Sequence, residues 1–205
     1  VTMVGENRVL AHFGLKQLNE NPRKGLHAMA TLSKLELHLT IDDIVFKIGP
    51  RINAAGRMET GRLAVELLTA SDDHTATMIG EKINDNNNDR KSIDREITQE
   101  ALEMVQNGSA LSTDAATIVY NPVWNKGVVG IVASRLVEAF YKPTIVLTKS
   151  NGFITGSARS VAGFDLYEAI ENCADLLENF GGHVYAAGLT LKEANLEEFV
   201  DRIDK

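Results

Sequence analysis

Cysteine is almost absent from this chain: Cys173 stands alone among 205 residues, so no intramolecular disulfide can form. Its helical spacing with Leu166, Ile170, Leu176 and Leu177 predicts a buried structural thiol. A reducing, cytoplasmic compartment fits. No apolar run approaches the roughly 20 residues that cross a bilayer, and the start lacks the basic-then-apolar order of a secretory signal. Neither a membrane protein nor an exported one is expected. Convincing metal-ligand spacing is missing too. Asp72-Asp73-His74 are adjacent at a helix start, point in divergent directions, and read as acidic capping; Asp42-Asp43 read the same way. Basic charge is short overall, with a net of -7. The deficit is local, because residues 1–62 carry nine Lys/Arg against six Asp/Glu and residues 107–164 carry five against two. The acid sits in helical patterns around 72–103, 165–178 and 193–204, which read as solvated faces.

A hydrophobic content of 44% supports one large domain or two small ones. Val1 to Val4 reads as the middle of a longer protein. From Asn7 to Leu37 the pattern is of short helices, with Val9, Leu10 and Phe13 on one face, the Asn21-Pro22 turn, then Leu26, Met29, Ala30 and Leu32. Together these suggest part of a helical layer. Thr40 is a helix cap backed by Asp42 and Asp43, and Gly49-Pro50 marks a turn or the end of that run. Between His74 and Val105, Ile79, Ile83, Ile93, Ile97, Ala101 and Met104 keep a helical period. The middle, residues 84–92, is wholly polar and predicts a helix that cannot bury its centre and bridges two lobes. Asn107-Gly108-Ser109 ends it, which places a boundary near 108.

Strands and helices then alternate. Thr117–Tyr120 and Thr144–Leu147 read as strands around an amphipathic helix over 128–140. The Asn151-Gly152 pair predicts a hairpin into a third strand over 153–158. Asp165 opens a helix expected to run to Gly181, and Asn195 opens a last one in the same way. The expected fold class is α/β, with a helical N-terminal part, a long connecting helix and an α/β lobe holding a mixed sheet.

Ser157 and Arg159, two apart on a strand, share a face and suit a phosphate through a hydroxyl and a charged fork. Gly156 and Gly163 flank them. Gly181 and Gly182 are expected to expose successive N–H groups as an anion nest, and His183, after residues too small to bury it, suits donation to a phosphate oxygen or acid–base work. Asn125-Lys126-Gly127 precedes a helix start whose free amides suit an anion, and Gly130 inside that helix suggests close packing on the sheet. Arg51, Asn53 and Arg57 surround Ala54, Ala55 and Gly56, whose small size leaves the backbone accessible to a charged ligand. Tight helix packing with surface arginines fits the same spacing, and both readings stay open. On these residues alone, the chain binds phosphate and lacks a complete hydrolytic centre.

Four segments carry a family resemblance. They are Gly49-Pro50-Arg51-Ile52-Asn53-Ala54-Ala55-Gly56-Arg57; Trp124 with Gly127-Val128-Val129-Gly130-Ile131-Val132-Ala133-Ser134-Arg135; Gly156-Ser157-Ala158-Arg159-Ser160; and Gly181-Gly182-His183 with Ala186-Ala187-Gly188. The last resembles the signature of the DHH-associated domain of the DHH phosphoesterase superfamily. Together the four resemble RecJ-type single-stranded-DNA-specific exonucleases, from Val4-Gly5-Glu6-Asn7-Arg8 to the end. The resemblance implies a parent enzyme that degrades single-stranded DNA from its 5′ end in repair and recombination, with Mn2+ or Mg2+ in a DHH lobe. Residues 1–74 would be the end of that lobe, 75–107 the connecting helix and 108–205 the DHH-associated lobe. Substrate contacts would come from Arg51, Asn53, Arg57, Ser157, Arg159, Ser160, Gly181 and Gly182, and His183 would lie near the scissile phosphate as the catalytic candidate. The metal-binding motifs are absent, so no metal ligand is assigned and the fragment alone is expected to be inactive. It would need its N-terminal DHH segment as partner besides single-stranded DNA. Asn125 stands where many relatives have histidine. The alternatives are a DHH-type phosphoesterase acting on short RNA or nucleotides, and a non-catalytic phosphate- or nucleic-acid-binding module.

Overall fold

The computed structural model describes residues 2–36 and 38–204. Val1, Leu37 and Lys205 lie outside the described residues, and with them the expected start at Val1 and the end of the first helical pattern. The chain forms two compact units, Val1–Lys91 and Ser92–Lys205. Among the described residues no helix is long and apolar enough to cross a membrane.

The first unit is helical: α1 (Gly5–Glu20), α2 (Lys24–Leu32), α3 (Ile41–Asp43), α4 (Gly49–Met58), α5 (Arg62–Thr69) and the first part of α6 (Asp73–Gln106). Its core is Met29, Ile48, Ala55, Leu67 and Ile83. Burying Met29, Ile48 and Leu67 completely stabilises the unit by about 1.5–3 kcal/mol each. Gly25 lets α2 approach α5, since a Cβ there would collide with the Leu67 carbonyl. The α1 helix forms as its sequence predicts, but Val9, Leu10 and Phe13 are 54%, 71% and 62% exposed, so the expected packed layer is not made on that face.

Thr40 caps α3 as expected, in a reciprocal capping box with Asp43. A hydrogen bond from Lys47 and two from Thr40 hold the Asp43 carboxyl well below the usual carboxylate range. Gly49-Pro50 does not end the run. The chain stays helical through a π-helical turn, Ile44–Ile48, in which the Gly49 N–H reaches the Ile44 carbonyl. Proline has no N–H and crowds the carbonyl four residues back; the wider turn absorbs that defect. At the start of α6, Asp72 accepts from the Thr75 N–H at 2.8 Å, the capping role expected of it.

The second unit holds a five-stranded mixed sheet of order β1-β2-β3-β5-β4. The strands are β1 (Thr117–Tyr120), β2 (Thr144–Ser150), β3 (Phe153–Arg159), β4 (Leu177–His183) and β5 (Ala186–Leu191), with α7 (Val129–Phe140), α8 (Leu166–Glu171) and α9 (Leu196–Ile203). β1 and β2 are parallel, joined across α7, and the remaining pairs are antiparallel. The β2–β3 hairpin is the expected one. Asn151 and Gly152 both take positive φ, 52° and 82°, as a two-residue turn of this kind requires.

On one face Ile118, Ile145, Leu147, Ile154, Leu189 and Leu191 pack with Leu166, Ile170 and Phe199 of α8 and α9. Cys173 is buried there, as predicted, and burial pushes its thiol up. On the other face Val119 and Val146 pack with Trp124 and α7, and with Ile97 and Ala101 of α6. Trp124 Nε1 donates to Glu100 at 2.7 Å, and Arg135 reaches the buried Asp94 at 2.8 Å, so two motif residues anchor this unit's own scaffold.

The chain corrects the sequence reading in two further places here. The helix from Asp165 ends at Glu171 instead of Gly181; a 3-10 turn, Ala174–Leu176, leads into β4. The Asn195 side chain does not cap α9 but donates to the Leu176 carbonyl at 2.8 Å.

Candidate nucleic-acid interface

Strand parity decides which side chains share a face. In β3, Ile154 and Ala158 belong to the core under α8 and α9, so Thr155, Ser157 and Arg159 turn to the opposite side. Register carries the pattern across β5 to β4 in three rows: Thr155–Thr190–Asn179, Ser157–Gly188–Gly181 and Arg159–Ala186–His183. The α7 helix packs on this side against β2 and β3, whereas Gly181, His183 and Gly188 are exposed. The Arg159 and His183 backbones, two strands apart, are separated by about 10 Å at the usual strand spacing.

Ser157 and Arg159 meet the first turn of α7. A Cβ at Gly130 would stand 3.1 Å from both Ser157 Oγ and Arg159 Nη2, so the packing role expected of Gly130 is to admit these two groups. The first N–H groups of a helix lack intrahelical acceptors and favour an anion. Asn125 Oδ1 accepts from the Gly127 N–H at 2.8 Å and orders the turn into the helix. Lys126 is exposed. Arg159 Nη1 donates to the Ala158 carbonyl at 2.8 Å. Hydroxyl and guanidinium thus both lie against the first turn of α7 at Gly130.

His183 Nδ1 accepts from the Tyr185 N–H at 3.2 Å, so the neutral imidazole carries its proton on Nε2. Gly181 and Gly182 do not form a nest. They lie in β4, where successive N–H groups point to opposite sides. Gly182 serves the fold, since a Cβ there would stand 2.6 Å from Ala187 Cα. Ser160 leaves the face: its hydroxyl donates to the Phe164 carbonyl at 2.8 Å and shapes the loop after β3.

In the first unit, Arg51, Asn53 and Arg57 all lie on α4. At 100° per residue Asn53 and Arg57 share a face and Arg51 points well away from it. Arg51 donates through Nε to Asn84 Oδ1 at 3.2 Å and through Nη1 to the Lys47 carbonyl at 2.6 Å. Partial burial pushes its guanidinium down from its ordinary value. Ala54 and Ala55 are fully buried, so their smallness serves helix packing rather than an accessible backbone.

The polar centre of α6 also differs from expectation. Asn87 is fully buried and accepts from Arg90 Nη2 at 2.8 Å, and Asp94 is buried as well. Sequence reasoning missed Asn84 and Asn87 as arginine holders. The available signal was Asn84, Asn87 and Arg90 at a spacing of three, one face of a helix.

Among the described residues no group of three His, Cys, Asp or Glu could hold a metal ion. The residues present do not fit the metal site of the DHH superfamily, and no metal-dependent step is assigned to them.

Residues 114–205 match the DHHA1 domain family. The chain is 39% identical to the single-stranded-DNA-specific exonuclease RecJ of Bacillus subtilis (strain 168) over 208 residues, 100% of this chain and 26% of that protein. The crystal structures of RecJ from Thermus thermophilus in complex with Mg2+ and with Mn2+ superpose with TM-scores of 0.86 and 0.88. Both are 29% identical and cover 100% of this chain, which spans 31% and 30% of theirs. The chain therefore spans about a quarter to a third of the length of these relatives. Across its whole length the chain is thus similar in sequence and fold to a segment of RecJ exonucleases, and residues 114–205 match the DHHA1 domain.

Proposed function

We propose that the chain is part of a single-stranded-DNA-specific 5′–3′ exonuclease, in which it holds the DNA strand and its 5′-phosphate. Residues 1–74 are the end of a DHH lobe, 75–107 the connecting helix and 108–205 the DHH-associated lobe. A further DHH segment of the same protein carries the Mn2+ or Mg2+ centre and its hydrolytic chemistry.

The observation that carries this reading is the meeting of Ser157 Oγ and Arg159 Nη2 at the first turn of α7. A phosphate there receives a charged fork, a neutral hydrogen bond and the positive end of a helix dipole at once. His183, in the neighbouring row, offers its Nε2 proton to a phosphate oxygen. Arg51, Asn53 and Arg57 contribute strand contacts from the first unit, with Arg51 held in orientation by Asn84. Gly181 and Gly182 keep the neighbouring strand free of side chains.

Cleavage of 5′-phosphorylated single-stranded DNA in manganese is the test. The chain joined to its DHH segment is expected to release mononucleotides and the chain alone to release none. Cleavage by the chain alone, or none by the joined protein, contradicts the proposal.

A further inference from the structure

The turn between β4 and β5 depends on a neighbouring loop. His183 ends β4 and Ala186 opens β5, so Val184 and Tyr185 make a two-residue hairpin connection. The tight turns that suit such a connection need a positive φ at one or both central positions, and neither residue takes one. The bonds that fix this turn come from outside the hairpin. Ser160 N–H donates to the Tyr185 carbonyl at 3.0 Å, and Leu166 N–H donates to the Val184 carbonyl at 3.1 Å. Both turn carbonyls are therefore committed to the two ends of one loop, residues 160–166, which leaves β3 directly after Arg159.

That loop is closed by its own residues. Phe164 N–H donates to the Val161 carbonyl at 3.4 Å, in a four-residue turn whose third residue, Gly163, takes the positive φ of 90° that a type II turn asks of glycine. At that length the bond is a weak closure. The Ser160 hydroxyl closes the loop a second time, donating to the Phe164 carbonyl at 2.8 Å. At the far end Asp165 accepts from the Glu168 N–H at 3.1 Å and ties the loop to α8, whose Leu166 and Ile170 lie in the core. His183 is the group this frame bears on. Its Nδ1 accepts from the Tyr185 N–H at 3.2 Å, and that N–H belongs to the same planar peptide as the Val184 carbonyl that Leu166 holds. Fixing one end of the plane aims the other at the imidazole.

We infer that Ser160 is a positioning residue for His183: by closing the 160–166 loop it fixes the peptide joining Val184 to Tyr185, and with it the tautomer and direction of the imidazole. The inference rests on the reading of His183 as a donor to a phosphate oxygen. It gives Ser160 a place in the site without contact to the strand, in contrast to the direct contact that its position beside Arg159 suggests. With the loop opened, Nδ1 loses its fixed donor and the imidazole proton sits on either nitrogen. Nε2 is then a donor only part of the time.

The test uses the 205-residue chain, with long-range proton–nitrogen NMR spectra of its imidazoles at a pH where they are neutral, and fluorescence anisotropy with a 5′-phosphorylated single strand. His183→Ala assigns the His183 signals. The wild type is expected to show one tautomer of His183, protonated on Nε2. Ser160→Ala is expected to mix the tautomers and to weaken binding of the phosphorylated strand about fivefold, and Ser160→Thr, which keeps the hydroxyl, to restore both. Gly163→Ala strains the same turn and leaves the hydroxyl in place; it is expected to act like Ser160→Ala. In a His183→Ala background the binding loss from Ser160→Ala is expected to vanish, because the two residues act as one unit. An unchanged His183 spectrum in Ser160→Ala overturns the inference, as does a binding loss that persists in the double variant, which returns Ser160 to direct contact with the strand. The two levels separate. If His183→Ala binds the phosphorylated strand like the wild type while Ser160→Ala still mixes the tautomers, the reading of His183 falls and the positioning by Ser160 stands.

Discussion

Arg159 is held and presented by the same local geometry. Its Nη1 is tied to the Ala158 carbonyl and its Nη2 lies against the first turn of α7 beside Ser157, so a phosphate at the helix start meets a guanidinium whose orientation is largely set. A hydrogen bond to a charged group contributes about 1.5–3 kcal/mol. Arg159→Ala is therefore expected to weaken a 5′-phosphorylated strand by about tenfold or more and a 5′-hydroxyl strand far less, as read by anisotropy at fixed salt. Equal losses on both contradict the role. At this scale the shared face of Ser157 and Arg159 and the exposure of His183 were legible in the sequence, because parity within one strand and two small neighbours are local properties. The hydrogen bond of the Ser160 hydroxyl to the Phe164 carbonyl was not, because it joins residues four apart around a bend that residue type does not reveal.

Among elements, α7 and β4 matter most. The α7 helix was readable because its apolar period is strong and Gly127 precedes it. The β4 strand was not, because Leu177 to His183 alternates poorly and becomes a strand only by pairing with β5, a tertiary effect that outweighs local preference. The same blind spot hid the place of Asn179 in a strand. The π-helical turn before α4 was equally hidden, since Gly-Pro normally punctuates a chain and here is absorbed by a wider turn. The contact of α7 with β3 carries a test of its own. Gly130→Ala places a methyl 3.1 Å from both Ser157 Oγ and Arg159 Nη2. Because those are side-chain ends that can shift, the variant is expected to remain folded by thermal melting, at a cost of about 1–3 kcal/mol, yet to lose its preference for a phosphorylated end. A folded variant with unchanged preference contradicts the convergence.

For the molecule as a whole, the order of helical part, long helix and α/β unit followed from periodicity and from the turn signals at 107–109 and 151–152. What periodicity could not supply was the use of the polar centre of α6. Asn84 and Asn87 hold arginines; Asn87 and Asp94 are buried, Asp94 paired with the distant Arg135 and Asn87 accepting from Arg90 one turn away, with its own amide nitrogen left without a hydrogen-bond partner. The net charge of -7 likewise hides two segments with a basic excess, each of which carries proposed phosphate contacts. The most direct test of the account is anisotropy of this chain with a single-stranded oligonucleotide bearing either a 5′-phosphate or a 5′-hydroxyl, at low salt with manganese present. Tighter binding of the phosphorylated strand is the expected result; equal binding of the two, or none, contradicts the claim that this face reads the strand end.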